Sequence, residues 1–262
     1  MLHKRFKFRN IILLLLLLIP FMSNAQDLTG KEIIEKVYYR DDGDDRRGKL
    51  TMILVNSRGD KRVREIKQFD KDFGATEKKI MFFTAPADIR ETSFLNWSYD
   101  DPAKDDDQWI YLPALGKVKR ISSDSKDDYF MGSDFTYDDL GDRHPDEDTH
   151  KLLRTETLEG EECYVVESLP KEEGYMYSKT ETWVIKDKWI GLQKKFYDED
   201  GDYLKTLKVK EYKDYDGILV ITHSQMHNAQ KDHKTIMKYK DIELNAGIGS
   251  NYFTERMMSR GL

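Results

Sequence analysis

From residue 49 to residue 244 the chain is written mostly as short runs rich in β-branched and aromatic residues, separated by clusters of Gly, Asp, Asn, Ser and Pro. In the run over 61–69, Val63, Glu65, Lys67 and Phe69 interleave with Arg64, Ile66 and Gln68. A period of two sends successive side chains to opposite faces of an extended strand, so such runs read as β-structure. They lie at 49–55, 61–69, 78–84, 108–112, 117–121, 162–168, 179–186, 191–197, 203–212, 217–227 and 234–244. Turn sequences stand between neighbours, as in Asn56-Ser57-Arg58-Gly59-Asp60 and Pro113-Ala114-Leu115-Gly116. Strands joined by short turns pair antiparallel and build a meander. A sheet of about ten or eleven strands must curl or close to protect its edges, which leaves a concave face to cover.

Three segments are available as that cover: 30–40, 85–107 and 122–150. The first reads as an amphipathic helix. Thr29 stands as N-cap with Glu32 three positions on, and Ile33, Ile34, Val37 and Tyr38 fall at helical spacing. A terminal helical turn is expected over 253–259. No linker or low-complexity stretch interrupts residues 26–262, so they read as one mainly β (α+β) domain.

The first twenty-five residues read as an address. Lys4, Arg5, Lys7 and Arg9 precede an apolar run from Ile11 to Ile19, and Ser23-Asn24-Ala25 supplies the small residues for a cut after Ala25. Nine apolar residues are far short of the ~20 that span a bilayer. The mature protein is thus expected to be exported. It is not expected to be lipidated, because the one cysteine, Cys163, is far from the cut. A single cysteine also excludes an intramolecular disulfide and any cysteine-built metal site. With 49 Asp+Glu against 43 Lys+Arg, the chain lacks the basic surface a nucleic-acid binder needs. Aromatics at 12% argue against disorder.

The chemistry-bearing patterns lead to no enzyme, metal or cofactor assignment. Phosphate-loop, dinucleotide, nucleophile-elbow and zinc-protease motifs are missing from the sequence. Asp198-Glu199-Asp200-Gly201-Asp202 places its glycine too early for a calcium loop and reads as a turn. The run from His144 to His150 holds two imidazoles and three carboxylates and reads as a solvated acidic loop.

The stretches 82–97, 108–121 and 130–140 are dense in aromatic and aliphatic residues on both strand faces, which fits either a thicker core or a cavity for an apolar ligand. The motif W-I-Y-L-P-A-L-G-K-V-K-R-I-S at 109–122, followed by F-M-G-S-D-F-T-Y-D-D-L at 130–140, resembles the signature of the LolA-like outer-membrane lipoprotein-sorting family. So does A-P-A-D-I-R-E-T-S-F-L-N-W at 85–97, and the similarity runs in order along the mature chain. The resemblance implies an unclosed antiparallel β-barrel whose helices cover its concave face, with a cavity for acyl chains, in the periplasm. The branch it most resembles, related to a treponemal lipoprotein domain, accompanies RND/MMPL-type inner-membrane transporters. That implies a carrier of lipoproteins or lipids, making transient membrane contact, with such a transporter as partner. The long polar insertions at 100–107 and 126–128 depart from the family's pattern.

On this reading Phe82, Trp97, Trp109, Tyr111 and Phe135 line or rim the cavity, and Ile33, Ile34 and Val37 of the first helix cover it. Two rival readings are a filled module that docks to a transporter and carries nothing, and a lipid hydrolase using Asp134, Asp138, His144 or His150.

Overall fold

The computed structural model describes residues 28–262, so the expected leader over 1–25 lies outside the described residues. Thirteen strands form one antiparallel sheet. They are β1 (Asp45–Val55), β2 (Lys61–Asp72), β3 (Thr76–Ala85), β4 (Ser93–Tyr99), β5 (Asp107–Leu112), β6 (Lys117–Arg120), β7 (Asp148–Leu158), β8 (Glu161–Pro170), β9 (Lys179–Ile185), β10 (Gly191–Tyr197), β11 (Tyr203–Tyr215), β12 (Ile218–Asn228) and β13 (His233–Leu244). The spatial order is β6-β5-β4-β3-β2-β1-β13-β12-β11-β10-β9-β8-β7. Because β1 pairs with both β2 and β13, the first and last strands meet mid-sheet. The free edges, β6 and β7, are consecutive in the chain, and residues 121–147 run from one to the other.

Two strands exceed the eleven runs read from the sequence. β4 is buried on both faces and so shows no alternation, and it occupies part of the 85–107 segment expected as cover. β7 is a polar edge strand with no buried residue, which erases the apolar signal.

The pairing register identifies the faces. Met52 stands opposite Arg64 and Met237, Ile66 opposite Phe83, and Met81 opposite Phe94. These apolar side chains share one cluster with Phe196 of β10 and with Phe130, Phe135 and Leu140. Phe130 packs against Phe94 of β4 while Asp134, four residues on, accepts from Lys205 of β11, six strands away in the sheet order, which is possible only if that face curls inward. It is the concave face.

Helix α1 (Gly30–Tyr38) starts at the expected capping box: the Glu32 amide donates to Thr29 Oγ1 at 3.2 Å and the Thr29 amide to Glu32 Oε2 at 2.7 Å. It covers the concave face over β7–β9, with Ile33 fully buried against Val166 and Val184. Ile34 and Val37 pack at the margin with Leu152, Tyr164 and Trp189. Gly30 permits this approach, since a Cβ there would lie 2.7 Å from the backbone of Lys151 and Leu152. Helix α2 (Glu255–Arg260) lies on the opposite, convex face. There Met258, Phe253 and Ile248 cover Ile80, Phe82, Leu95 and Trp109.

Candidate functional site

The concave face is filled by a strap, residues 128–141, that crosses it between the two free edges. Its first half is a tight reversal: the Phe130 amide donates to Phe135 O at 2.7 Å, while Met131 and Gly132 take φ of 49° and 72°. The reversal aims Phe130 and Phe135 inward, and Leu140 follows a turn later. All three belong to one packed cluster with Leu50, Met52, Leu54, Ile66, Met81, Phe83 and Phe94.

Polar side chains of the sheet hold the strap by its backbone. Arg64 donates from Nη1 to Met131 O, Gln108 Nε2 to Tyr137 O at 2.8 Å, and Lys79 Nζ to Leu140 O at 3.2 Å. Lys205, with no exposed surface, donates to Asp134 O at 3.1 Å and Asp139 Oδ2 at 2.5 Å. Asp134 accepts from Thr235 Oγ1 at 2.7 Å and sits 2.8 Å from His233 Nδ1. Each clamp satisfies a buried carbonyl or carboxylate that the strap would otherwise leave unpaired.

Towards β3–β5 the concave face turns polar and charged. Asp70 stands 3.3 Å from Arg46 Nε and keeps that guanidinium protonated well above its usual range. Burial, with Asp142 adding to it, pushes the Glu77 carboxyl upward. Burial works against the Lys79 ammonium, but Asp142, Asp70 and Glu77 outweigh it and raise its pKa. Burial also lifts Asp106 to about 6, against hydrogen bonds from Ser98 and Asn96 and with the help of Asp142. Beside these groups opens a cleft of about 290 Å³ lined by nine carboxylates and three cationic side chains. Among the described residues no group of three or more His, Cys, Asp or Glu is arranged to hold a metal ion.

The five apolar residues singled out in the sequence fall on two faces. Phe82, Trp97, Trp109 and Tyr111 come together on the convex face with α2, Trp97 and Trp109 edge-on at 5.1 Å. Phe135 alone is on the concave face, in the strap. Neighbouring strands β3–β5 carry aromatics at both parities, so the pattern gave no means of telling which face was inner. What the sequence reading missed were the strap's polar clamps. Arg64, Lys79, Gln108 and Lys205 look like solvent-facing residues in alternating strands, and only the register shows that they point inward.

The residues of the hydrolase reading are scattered. Asp134 is in the strap's clamp, and Asp138 accepts from the Tyr175 hydroxyl. His144 caps a short helical turn through Nδ1 and approaches Tyr39. His150 lies 2.8 Å from Ser168 Oγ and 2.8 Å from Pro145 O, with burial holding its pKa down.

Comparison with known proteins places this arrangement. A family model described as that of an uncharacterized protein matches residues 75–260. No curated protein matches the chain. Among solved structures, a DUF1329 family protein from Desulfovibrio piger superimposes with a TM-score of 0.83 at 29% identity, over 87% of this chain and 97% of that one. A domain from Vibrio parahaemolyticus named for outer membrane lipoprotein sorting gives 0.83 at 33% identity, over 88% and 98%. A LolA superfamily protein from Nitrosomonas europaea shares the fold, with a TM-score of 0.68 at 19% identity over 88% and 99%. With its unclosed curled sheet and identity above 30% over most of its length, the chain belongs to the LolA-like family of outer-membrane lipoprotein-sorting proteins.

Proposed function

We propose that this protein is an exported periplasmic carrier that takes the acyl chain of a lipoprotein or lipid onto its concave face in place of the strap. One observation carries the reading: the strap's own apolar side chains fill the inner face, while among the described residues its backbone is tied to the sheet only by hydrogen bonds from side chains, which separate without breaking the sheet. Burying a sixteen-carbon chain is worth on the order of 10 kcal/mol gross, at ~0.8 kcal/mol per CH₂. Phe130, Phe135 and Leu140 together are worth about 6 kcal/mol at ~2 kcal/mol each, and each clamp adds about 1 kcal/mol. The two occupants are therefore of similar worth, which is what loading and release both require. The likeness to the lipoprotein-sorting domain supports the same reading, and we propose as its partner the RND/MMPL-type transporter that the sequence resemblance implies.

Mature protein incubated with lipid vesicles and analysed by native mass spectrometry and lipid extraction tests this. A stoichiometric acylated species is expected, with more of it in Arg64→Ala, whose strap is less firmly held. An empty mass for both proteins would overturn the carrier and leave the filled docking module, which the packed interior favours.

A further inference from the structure

The acidic cleft is lined mostly by polar and charged side chains, which do not suit an acyl chain, and its lining is selective in kind. Most of its titratable side chains are carboxylates, and its cations are already engaged. Arg143 is held by Glu147 and Asp148, Lys104 lies 3.2 Å over the Tyr99 ring, and Lys126 is 3.8 Å from Asp105. At the inner wall stands Gln108, 1% exposed. Its Nε2 is committed to Tyr137 O, which fixes the amide orientation and leaves Oε1 buried with no hydrogen-bond partner. Asn96, its cross-strand neighbour, leaves Oδ1 in the same condition. A buried acceptor without a donor is costly, and here the shortage lies beside two carboxylates, Asp106 and Asp142, that repel each other. The wall is also shaped closely: a Cβ at Gly141 would collide with the Asp106 carboxylate.

We propose that this cleft binds a primary ammonium group, with Gln108 Oε1 and the carboxylates of Asp106 and Asp142 as its acceptors. An ammonium brings three N–H donors and one positive charge, which matches this set. Calcium needs six to eight oxygens at short range, and no metal-holding cluster exists among the described residues. A quaternary ammonium has no N–H to give, and the aromatic face that would suit it, Tyr99, already carries Lys104. The volume of about 290 Å³ holds more than a bare ion and admits a short aliphatic amine. Such a group comes from a free polyamine or from an ethanolamine lipid headgroup. The assignment goes beyond the carrier reading and does not depend on it.

Calorimetric titration of the full mature chain with putrescine, and separately with vesicles of phosphatidylethanolamine in phosphatidylcholine, tests it. Tetramethylammonium, calcium chloride and pure phosphatidylcholine vesicles serve as controls. Saturable 1:1 binding is expected for putrescine, for the ethanolamine vesicles, or for both, and which of them binds identifies the source. Asp142→Asn and Asp106→Asn are each expected to weaken it roughly tenfold, with circular dichroism unchanged. Equal heat from tetramethylammonium, tighter binding of calcium, undiminished affinity in both variants, or no binding of either amine would overturn the proposal. Failure here would leave acyl loading in the mass-spectrometric experiment untouched.

Discussion

Lys205 sits with no exposed surface between strap and sheet, its ammonium paired with Asp139, which also accepts from the Tyr177 hydroxyl at 3.0 Å. Removing one member of a buried pair leaves the other charged and unpaired, which costs about 3–5 kcal/mol. Lys205→Met is therefore expected to lower Tm by on the order of 10 °C. Adding Asp139→Leu should recover part of that loss, since the stranded carboxylate is gone; equal Tm for wild type and Lys205→Met would show that the clamp does not hold the strap. Asp106 shows how burial makes stability depend on pH. Its carboxyl ionises near 3.8 in the ordinary state and at about 6 in the fold, so the folded protein holds the proton more tightly. That contribution to stability is complete below about pH 4 and disappears as pH rises through about 6. Thermal unfolding should show Asp106→Asn gaining Tm over wild type at about pH 7.5 and losing that advantage at about pH 4. Parallel pH profiles for the two proteins would mean that Asp106 is not desolvated.

Among the elements, those with a local cause were legible. The Thr29–Glu32 capping box placed α1 to within two residues, and Asn56–Asp60 placed the β1–β2 hairpin with Gly59 at φ 83°. Asp198 caps its own turn by accepting the Asp202 amide, as the early glycine implied. What failed was parity. β4 is buried on both sides by the strap and by α2, so no face stands out in Ser93–Tyr99, and β7 buries too little to register. The same ambiguity left four of the five chosen aromatics on the convex face, where they have the structural task of seating α2. The strap's role was half legible. Its motif carried the family likeness and its aromatics looked like anchors, but the partners of its carbonyls come from β2, β3, β5 and β11, and pairing between distant segments is invisible to local pattern. The clamps predict a graded hierarchy within this element. Asp134, bonded at both its amide and its carboxylate, is the firmest point, while Tyr137 and Leu140 each depend on one side chain.

At the scale of the whole molecule, the decisive fact is where the sheet is open. Both chain ends lead into strands that pair mid-sheet, so β1, β2, β12 and β13 are hydrogen-bonded on both sides and form the stiff back of the curl. The free edges β6 and β7 are joined by the chain segment that carries the strap, so on the proposed carrier reading opening would move that segment rather than unzip strands. Segments held by few bonds open at lower free energy than the global transition, and hydrogen exchange reads that difference amide by amide. The Phe130, Ser133 and Leu140 amides, bonded within the strap, are expected to exchange well before the amides pairing β1 with β2 and β13. Lipid vesicles should speed the strap's exchange further if an acyl chain takes its place on the inner face, and leave the sheet's back unchanged. Exchange of strap and sheet together, at one rate and unaffected by vesicles, would mean that the interior opens only when the whole protein unfolds. A carrier could not work that way, and the curled sheet would then be a filled scaffold whose function lies on its outer surfaces.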